Sequence, residues 1–565
     1  NSLLRNGSLV RVQQGSPLNL HLVVENPTLL TLKHFSEKVY FELMTEHFDR
    51  LIKKAIELQK TGNLKEARSI YLEVLQIEPN NHQLYKMLSG LEYQNRNFEK
   101  SLKYINEAIK LKKNSSELYS IKGFYLYISN KKKEAKELFE KALKLDVNNI
   151  DALLNLGVIL KENNETLKAI DCFDKIISLD EKNHKAFVNR AYIKIDNRNY
   201  QDALKDINKV ISLNKKYFNG YLMRGSINKE LKNFDKSLND FKFLINSKND
   251  CEVQIYDEAN YNKGLLDLLL GNYKEGWVNY EFRLKVNKRF IPDHAKKFPL
   301  LKNINECKNK KVLVISEQGI GDNIQFSRYL KLLKEKCSKL SFCIDKKIKP
   351  FFEKLNIVDK VYINEEKIDY YDFRIDLMSL PYLFNTDQSN IPEVNFTIKA
   401  DNDKLVQWQN KLKPYKNFYK IGLNSVSSKS IPGRDFPLNL FENICKYKKI
   451  KLFNLQKNNS NRDFLQNKIE VLSFDDFDKD ELFQDSKALI ENLDLVITCD
   501  TSIAHLAASM QKPTWVLLND VPDWRWLLNT SKSLWYKKVL IFRCEKKDDW
   551  FQPKHQIENL LNKYK

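Results

Sequence analysis

From residue 46 to residue 284 apolar positions recur at helical spacing, and the pattern itself repeats. Small residues stand at Ala55, Ser89, Gly123, Gly157, Ala191 and Gly225, each 34 residues after the last. A second set, Ala67, Ser101, Ala135, Ala169, Ala203 and Ser237, keeps the same step. Bulky residues follow four positions later at Tyr71, Ile105, Phe139, Phe173, Ile207 and Phe241. Small residues at those offsets let two antiparallel helices approach closely, and the bulky ones fill the gap to the next pair. After a five-residue slip, Gly264, Gly276 and Tyr280 continue the series as a seventh unit.

This is the tetratricopeptide period, and it predicts a superhelix over residues 44–290 whose concave face holds a protein or peptide. Residues 1–43 show no sustained period and resemble the conceptual translation of a transfer-RNA gene. They are expected to be a spurious or disordered extension ahead of a natural start at Met44. Residues 291–310 contain Pro292 and Pro299 and read as a connector.

At Lys311 the pattern changes to short apolar runs alternating with helical stretches. VLVIS, LSFCID and VYIN lie in one series, which ends with a polar helix over 402–412. A second series opens with FYKIGLN and continues through KLFNLQ, a strand over 495–499, a helix over 503–510, a strand over 514–518 and VLIFR. A final amphipathic helix over 556–564 is expected to cross back to the first series. Strand, helix, strand is the unit of a parallel sheet. The predicted class is therefore α plus α/β: a repeat superhelix followed by two Rossmann-like halves, 311–412 and 413–565, in the GT-B arrangement.

Composition changes this picture little. The net charge of +21 comes mostly from lysines spread among Asn and Glu without Arg-rich blocks, which points to solvated helix faces rather than nucleic acid. Eight cysteines lack any C-x-x-C or zinc spacing and read as buried thiols in a reducing compartment. No apolar run approaches the roughly 18 residues that span a bilayer. A cytoplasmic location, extending to the inner face of the membrane, is expected.

Candidate chemistry gathers after the strands. Asp500, Thr501, Ser502 and His505 fall at the start of a helix, where free N–H groups and the positive dipole end suit an anion such as a diphosphate. Glu317-Gln318-Gly319-Ile320-Gly321-Asp322 forms a tight strand-to-helix turn. There Gly319 and Gly321 allow the backbone close to a ligand, and Asp322 faces the cleft. Ser425, Lys429 and Arg434 lie in the loop after the second series' first strand, where a cation suits a departing diphosphate. Gln456 ends a strand, and Trp524 and Trp526 flank Arg525 as a base-stacking or acceptor wall. Each has a plainer reading: helix caps for Asp322 and Asp500, a core histidine for His505, a strand-end amide for Gln456, core packing for one tryptophan. No Asp-x-Asp follows a strand in this part of the chain, and no metal site is expected.

The words EGWVNYEFR (275–283), EQGIGDNIQFSRYL, DLMSLPYLF, NLQK, DTSIAHLAA, PDWRWLL, LWY and DDW occur in order over most of residues 275–550. In them the chain resembles a bacterial family of tetratricopeptide-repeat glycosyltransferases, related to the ADP-heptose:lipopolysaccharide heptosyltransferases of glycosyltransferase family nine. The resemblance implies an inverting, metal-independent transfer from a nucleotide-sugar to an acceptor hydroxyl on a glycan or protein, without a cofactor. It makes Asp322 the base and Asp500, Thr501 and His505 the donor loop. The basic loop, NSVSSKSIPGRDFPL, is shorter than the family's, which leaves Lys429 and Arg434 as alternatives. Two other readings stay open: a protein-binding scaffold with a degenerate transferase module, and protein glycosylation in the manner of O-GlcNAc transferase. Sugar, nucleotide, acceptor and oligomeric state are not legible.

Overall fold

The computed structural model describes residues 10–13, 21–24, 37–287, 291–427, 433–456, 469–474, 477–479 and 481–565, with side chains from residue 46 onward. It forms two compact units, 1–193 and 194–565.

In the first unit, helices Leu64–Ile77, His82–Gln94, Phe98–Leu111, Ser116–Ile128, Lys132–Leu145, Ile150–Glu162 and Thr166–Leu179 alternate with short turns. The small-residue rule has a direct physical basis here. A Cβ on Gly123 would lie 2.8 Å from the Phe139 ring, and one on Gly157 would lie 2.8 Å from the Phe173 ring. Each bulky side chain thus seats on the bare backbone of the preceding helix. The turn closing each helix pair takes the left-handed conformation at Gly62, Arg96, Asn130 and Asn164, with φ of 84°, 60°, 61° and 62°. Several following helices are capped by side chains, among them those of Asn81, Asn97, Ser115 and Asn149.

Of residues 1–43, only 10–13, 21–24 and 37–43 are among the described residues. Strands β1 (Val10–Gln13) and β2 (His21–Val24) pair antiparallel, and the first long helix, Glu37–Lys60, begins ahead of Met44. VRVQ and HLVV are rich in β-branched residues, which suits a strand pair.

The second unit starts with repeat helices Tyr200–Leu213, Phe218–Glu230, Phe234–Asn246, Val253–Leu269 and Tyr273–Tyr280. Two sheets follow. One has the order β5-β4-β3-β6, built from β3 (Lys311–Ile315), β4 (Lys339–Ile344), β5 (Lys360–Ile363) and β6 (Phe373–Asp376), all parallel. The other has the order β11-β10-β9-β7-β8, from β7 (Tyr419–Asn424), β8 (Ile450–Asn454), β9 (Leu495–Thr498), β10 (Thr514–Leu518) and β11 (Val539–Arg543), again all parallel. Each sheet reverses its winding once, between β3 and β6 and between β7 and β9. Crevices beyond the carboxyl ends of strands at such reversals are where open α/β sheets hold ligands.

Alternation along the strands sorts the core. Val496 and Val516 face a cluster shared with the first sheet and with Trp277 and Tyr280 of the last repeat. Leu495, Ile497 and Leu517 face a second cluster that includes Ile557 and Leu561. The final helix, Phe551–Leu561, therefore covers the outer face of its own sheet instead of crossing back to the first half. Its apolar residues find a complete partner surface there, and Tyr564 just beyond stacks on Tyr419 with centroids 4.0 Å apart. The compact units also divide at 193/194 rather than near residue 290, because the last repeats bury their aromatic residues in the core of the α/β part. Among the described residues no helix is long and apolar enough to cross a membrane.

Candidate functional site

The site forms where the two sheet reversals face each other. Beyond β3 the chain turns at Gln318, whose φ is 61°, and enters the helix Ile320–Phe326. Beyond β9 it passes Cys499 and Asp500 and enters the helix Ser502–Ser509. The starts of these two helices touch. A Cβ on Gly321 would fall 2.8 Å from Cδ2 of His505 and 3.2 Å from Cα of Ser502. Gly321 is thus required by a close approach of two helices, not by an unusual backbone angle.

Around this contact lies a cavity of about 670 Å³, lined by Gly319, Gly321, Asp322, Arg434, Asp500, Thr501, Ser502, His505 and Trp524 among others. Most of the residues singled out in the sequence thus share one crevice. Ser425 and Gln456 do not line it. Both are buried, and Gln456 Nε2 donates to Ser425 Oγ at 3.1 Å beneath the β7 and β8 ends. Lys429 lies outside the described residues.

Asp322 is held at both oxygens. The Gly319 N–H donates to Oδ2 at 2.8 Å, and the Arg525 guanidinium donates to Oδ1. A carboxylate offers about four acceptor positions, so one face remains for a hydroxyl. Arg525 also donates to Asp523 Oδ1 at 2.7 Å, while its Nε–H has no partner among the described residues. Arg434 sits more loosely, with Nε 3.4 Å from Asp500 Oδ2 and an Nη 3.5 Å from Asp523 Oδ2.

These pairings set the charges. Burial pushes the Asp500 carboxyl up from its ordinary range, and Arg434 only partly offsets it. Burial pushes Asp523 up too, but Arg525 and Arg434 together overcome it and leave that carboxyl below the usual value. Arg525 is held above its ordinary value because Asp523 and Asp322 outweigh burial.

His505 is buried, with Nδ1 3.0 Å from the Tyr536 hydroxyl and its ring stacked on Trp526 at 5.6 Å. Burial, aided by the positive charge of Arg525, pushes it down to about 3, so it is neutral at ordinary pH. Thr501 opens its helix without capping it. Its hydroxyl instead accepts from Asn424 Nδ2 at 2.8 Å, which ties the turn to the end of β7. The first N–H groups of the Ser502 helix are left without a side-chain cap.

Several residues here escaped the sequence reading. Arg525 was seen only through its flanking tryptophans, yet within the cavity it pairs with Asp322 of the first half. Trp526 is core, whereas Trp524 lines the cavity and meets Trp277 edge-on at 5.2 Å. Arg283, at the end of the repeats, is buried and donates to both oxygens of Glu317, at 3.0 and 2.7 Å, and to Ser379 Oγ at 2.7 Å. Glu317 also accepts the Met378 N–H at 2.9 Å, so one ion pair joins the repeats to the ends of β3 and β6. Burial raises the Glu317 carboxyl despite Arg283. The repeats reach the cavity as well: Tyr261, Leu265 and Tyr280 line it, and Gln318 Nε2 donates to the Tyr280 hydroxyl at 2.7 Å. A charged residue inside EGWVNYEFR was the available signal for Arg283.

Fold and site together define an α/β protein with a tetratricopeptide-repeat arm. A tetratricopeptide-repeat model matches residues 49–81, 116–149, 150–183 and 184–217. Protein FlbA of Caulobacter vibrioides is 23% identical over 312 residues, which is 50% of this chain and 51% of that protein. The chain thus spans about half the length of this curated relative. Among solved structures, pilF of Pseudomonas aeruginosa shares 16% identity over 39% of this chain and 99% of its own, with a TM-score of 0.35. A tetratricopeptide repeat protein from Parabacteroides merdae shares 15% over 43% of this chain and 94% of its own, with a TM-score of 0.34. The chain carries tetratricopeptide repeats.

Proposed function

We propose that the α/β part is a metal-independent glycosyltransferase of GT-B type whose donor is a nucleotide-sugar. The observation that carries this reading is the convergence, at two facing sheet reversals, of an uncapped helix start with Arg434, Arg525 and Asp322 in one cavity. The diphosphate is taken by the N–H groups of the Ser502 helix, the Ser502 hydroxyl and Arg434, whose present contacts are long enough to be exchanged for a ligand. Asp322 accepts the proton of an acceptor hydroxyl as its oxygen attacks the anomeric carbon. The bond from that carbon to the diphosphate oxygen breaks, and the electron pair leaves with the diphosphate, stabilised by Arg434 and the helix end. A single displacement of this kind inverts the anomeric centre. Neutral His505 is a hydrogen-bonding partner for the donor rather than a charge. The repeat arm supplies the protein partner or acceptor.

The test is thermal unfolding of the full chain against a panel of nucleotide-sugars, since a ligand that binds only the native state raises apparent stability. One member should raise the midpoint, and Asp322→Asn should keep that shift while abolishing release of the nucleoside diphosphate. Equal turnover by wild type, Asp322→Asn and His505→Ala would remove the site.

A second reading, a repeat scaffold with an inactive module, is favoured by one feature: Arg434, Arg525, Asp322, Asp500 and Asp523 are already paired among themselves. A chain that binds no nucleotide-sugar or nucleoside diphosphate in the same screen fits that reading instead.

A further inference from the structure

Arg198 belongs to a repeat turn yet touches the loop that carries Arg434. A Cβ on Gly433 would fall 2.7 Å from Cζ of Arg198, so the guanidinium lies directly on the Gly433 backbone. Gly433 itself is left-handed, with φ 84°. The same guanidinium donates to both Asp548 oxygens, at 3.0 and 3.1 Å. Asp548 is locked in turn. Asn519 Nδ2 donates to its Oδ1 at 2.6 Å, and its own N–H donates to Asn519 Oδ1 at 3.0 Å. Asn519 Nδ2 also lies 3.5 Å from the Gly433 carbonyl oxygen. Two lysines secure the joint: Lys547 donates to the Arg198 carbonyl at 2.5 Å, and Lys232 donates to the Glu545 carbonyl at 2.7 Å.

We propose that Arg198 is a positioning residue: it fixes the backbone at Gly433 and thereby aims Arg434 into the cavity, so that the repeats set the site's affinity for a diphosphate. The inference rests on the functional reading above. Arg434 is the next residue after Gly433, and its contacts within the cavity, at 3.4 and 3.5 Å, are too long to hold the loop by themselves. The planar guanidinium suits the task because its flat face can lie on the Gly433 backbone while one Nη reaches both oxygens of Asp548, and an ammonium has no such face.

The experiment is isothermal titration of the full-length protein with ADP, GDP, UDP and CDP, using wild type, Arg198→Ala, Arg434→Ala and the double variant. Thermal unfolding runs alongside. For the diphosphate that binds wild type, Arg434→Ala should weaken binding strongly. Arg198→Ala should weaken it on the order of tenfold, within the up to roughly hundredfold that displacement of a binding group by about 1 Å can cost. In the Arg434→Ala background the Arg198 change should add nothing, because the two act through one loop. A generally loosened fold would lower affinity in both backgrounds alike. Arg198→Lys keeps the charge without the flat guanidinium face and should show an intermediate loss; it serves in place of the alanine variant should that one not fold. Unchanged affinity in Arg198→Ala or Arg198→Lys, or additive losses in the double variant, overturns the positioning role and leaves the donor site standing. No effect of Arg434→Ala on binding overturns it as well. If wild type binds none of the diphosphates, the donor site itself is refuted and the inference falls with it.

Discussion

Replacing Gly321 with alanine tests the meeting of the two helix starts on which the site depends. Two effects of opposite sign compete. Inside a helix, exchanging Gly for Ala gains about 0.5–1 kcal/mol by restricting the unfolded chain. Against this, the new methyl would lie 2.8 Å from the His505 ring and 3.2 Å from the Ser502 backbone. The ring cannot swing aside, since Tyr536 holds Nδ1 and Trp526 covers one face. Overpacking of this kind costs about 1–3 kcal/mol, so the midpoints of the two ranges leave a net loss of about 1 kcal/mol. Gly90 supplies the control: it lies in the helix His82–Gln94 and a Cβ there meets nothing within 4 Å, so Gly90→Ala should stabilise. All seven tryptophans lie beyond residue 193, in the second unit, so their fluorescence in urea reports that unit alone. Circular dichroism follows the helices of both. Gly321→Ala should lower the fluorescence transition, whereas Gly90→Ala should leave it in place and raise the stability of the first unit. A fluorescence transition that is unmoved or higher in Gly321→Ala would refute the close approach.

Arg283→Ala leaves Glu317 buried without its partner and should destabilise the second unit by about 3–5 kcal/mol in the same fluorescence assay. Replacing both residues by leucine should recover much of that loss. For His505, the folded value of about 3 lies below the unfolded value of about 6.5, so between these limits the unfolded chain binds more protons. Stability should therefore be intact above about pH 6.5 and fall as pH drops toward 3, by at most about 4–5 kcal/mol, a dependence that His505→Gln should remove in urea titrations across pH. A fragment of residues 194–565 should unfold cooperatively by fluorescence. One of residues 291–565 should not, because it strips Trp277 and Tyr280 from the core and Arg283 from Glu317.

The repeats were legible because one short-range rule, a small residue seated against a bulky one, recurs at a fixed step. The strands were legible as apolar runs, and the two cavity-lining loops as Gly or Asp-Thr-Ser signals directly after them. What escaped is what tertiary structure joins over long sequence distances. Nothing local to Arg525 says that its carboxylate partner is Asp322, and nothing near Arg283 names Glu317. The final helix is amphipathic, but amphipathicity does not say which sheet it will cover. The boundary near residue 290 was read from prolines and a broken period. Those mark a change of local structure, while the division between compact units follows the aromatic residues of the last repeats into the α/β core.

The turn that offers Arg198 repeats a backbone conformation found at Arg96, Asn130 and Asn164 in the first unit and at Lys232 in the second, with φ near 60° each time. Glycine would relieve a strain of about 1 kcal/mol at any of them, so a longer side chain there is tolerated rather than favoured by its own backbone. At Arg198 that tension has a counterweight in Asp548 and Gly433. Arg198→Gly should therefore relax the turn while unfastening the loop, which separates local comfort from long-range command at a single position.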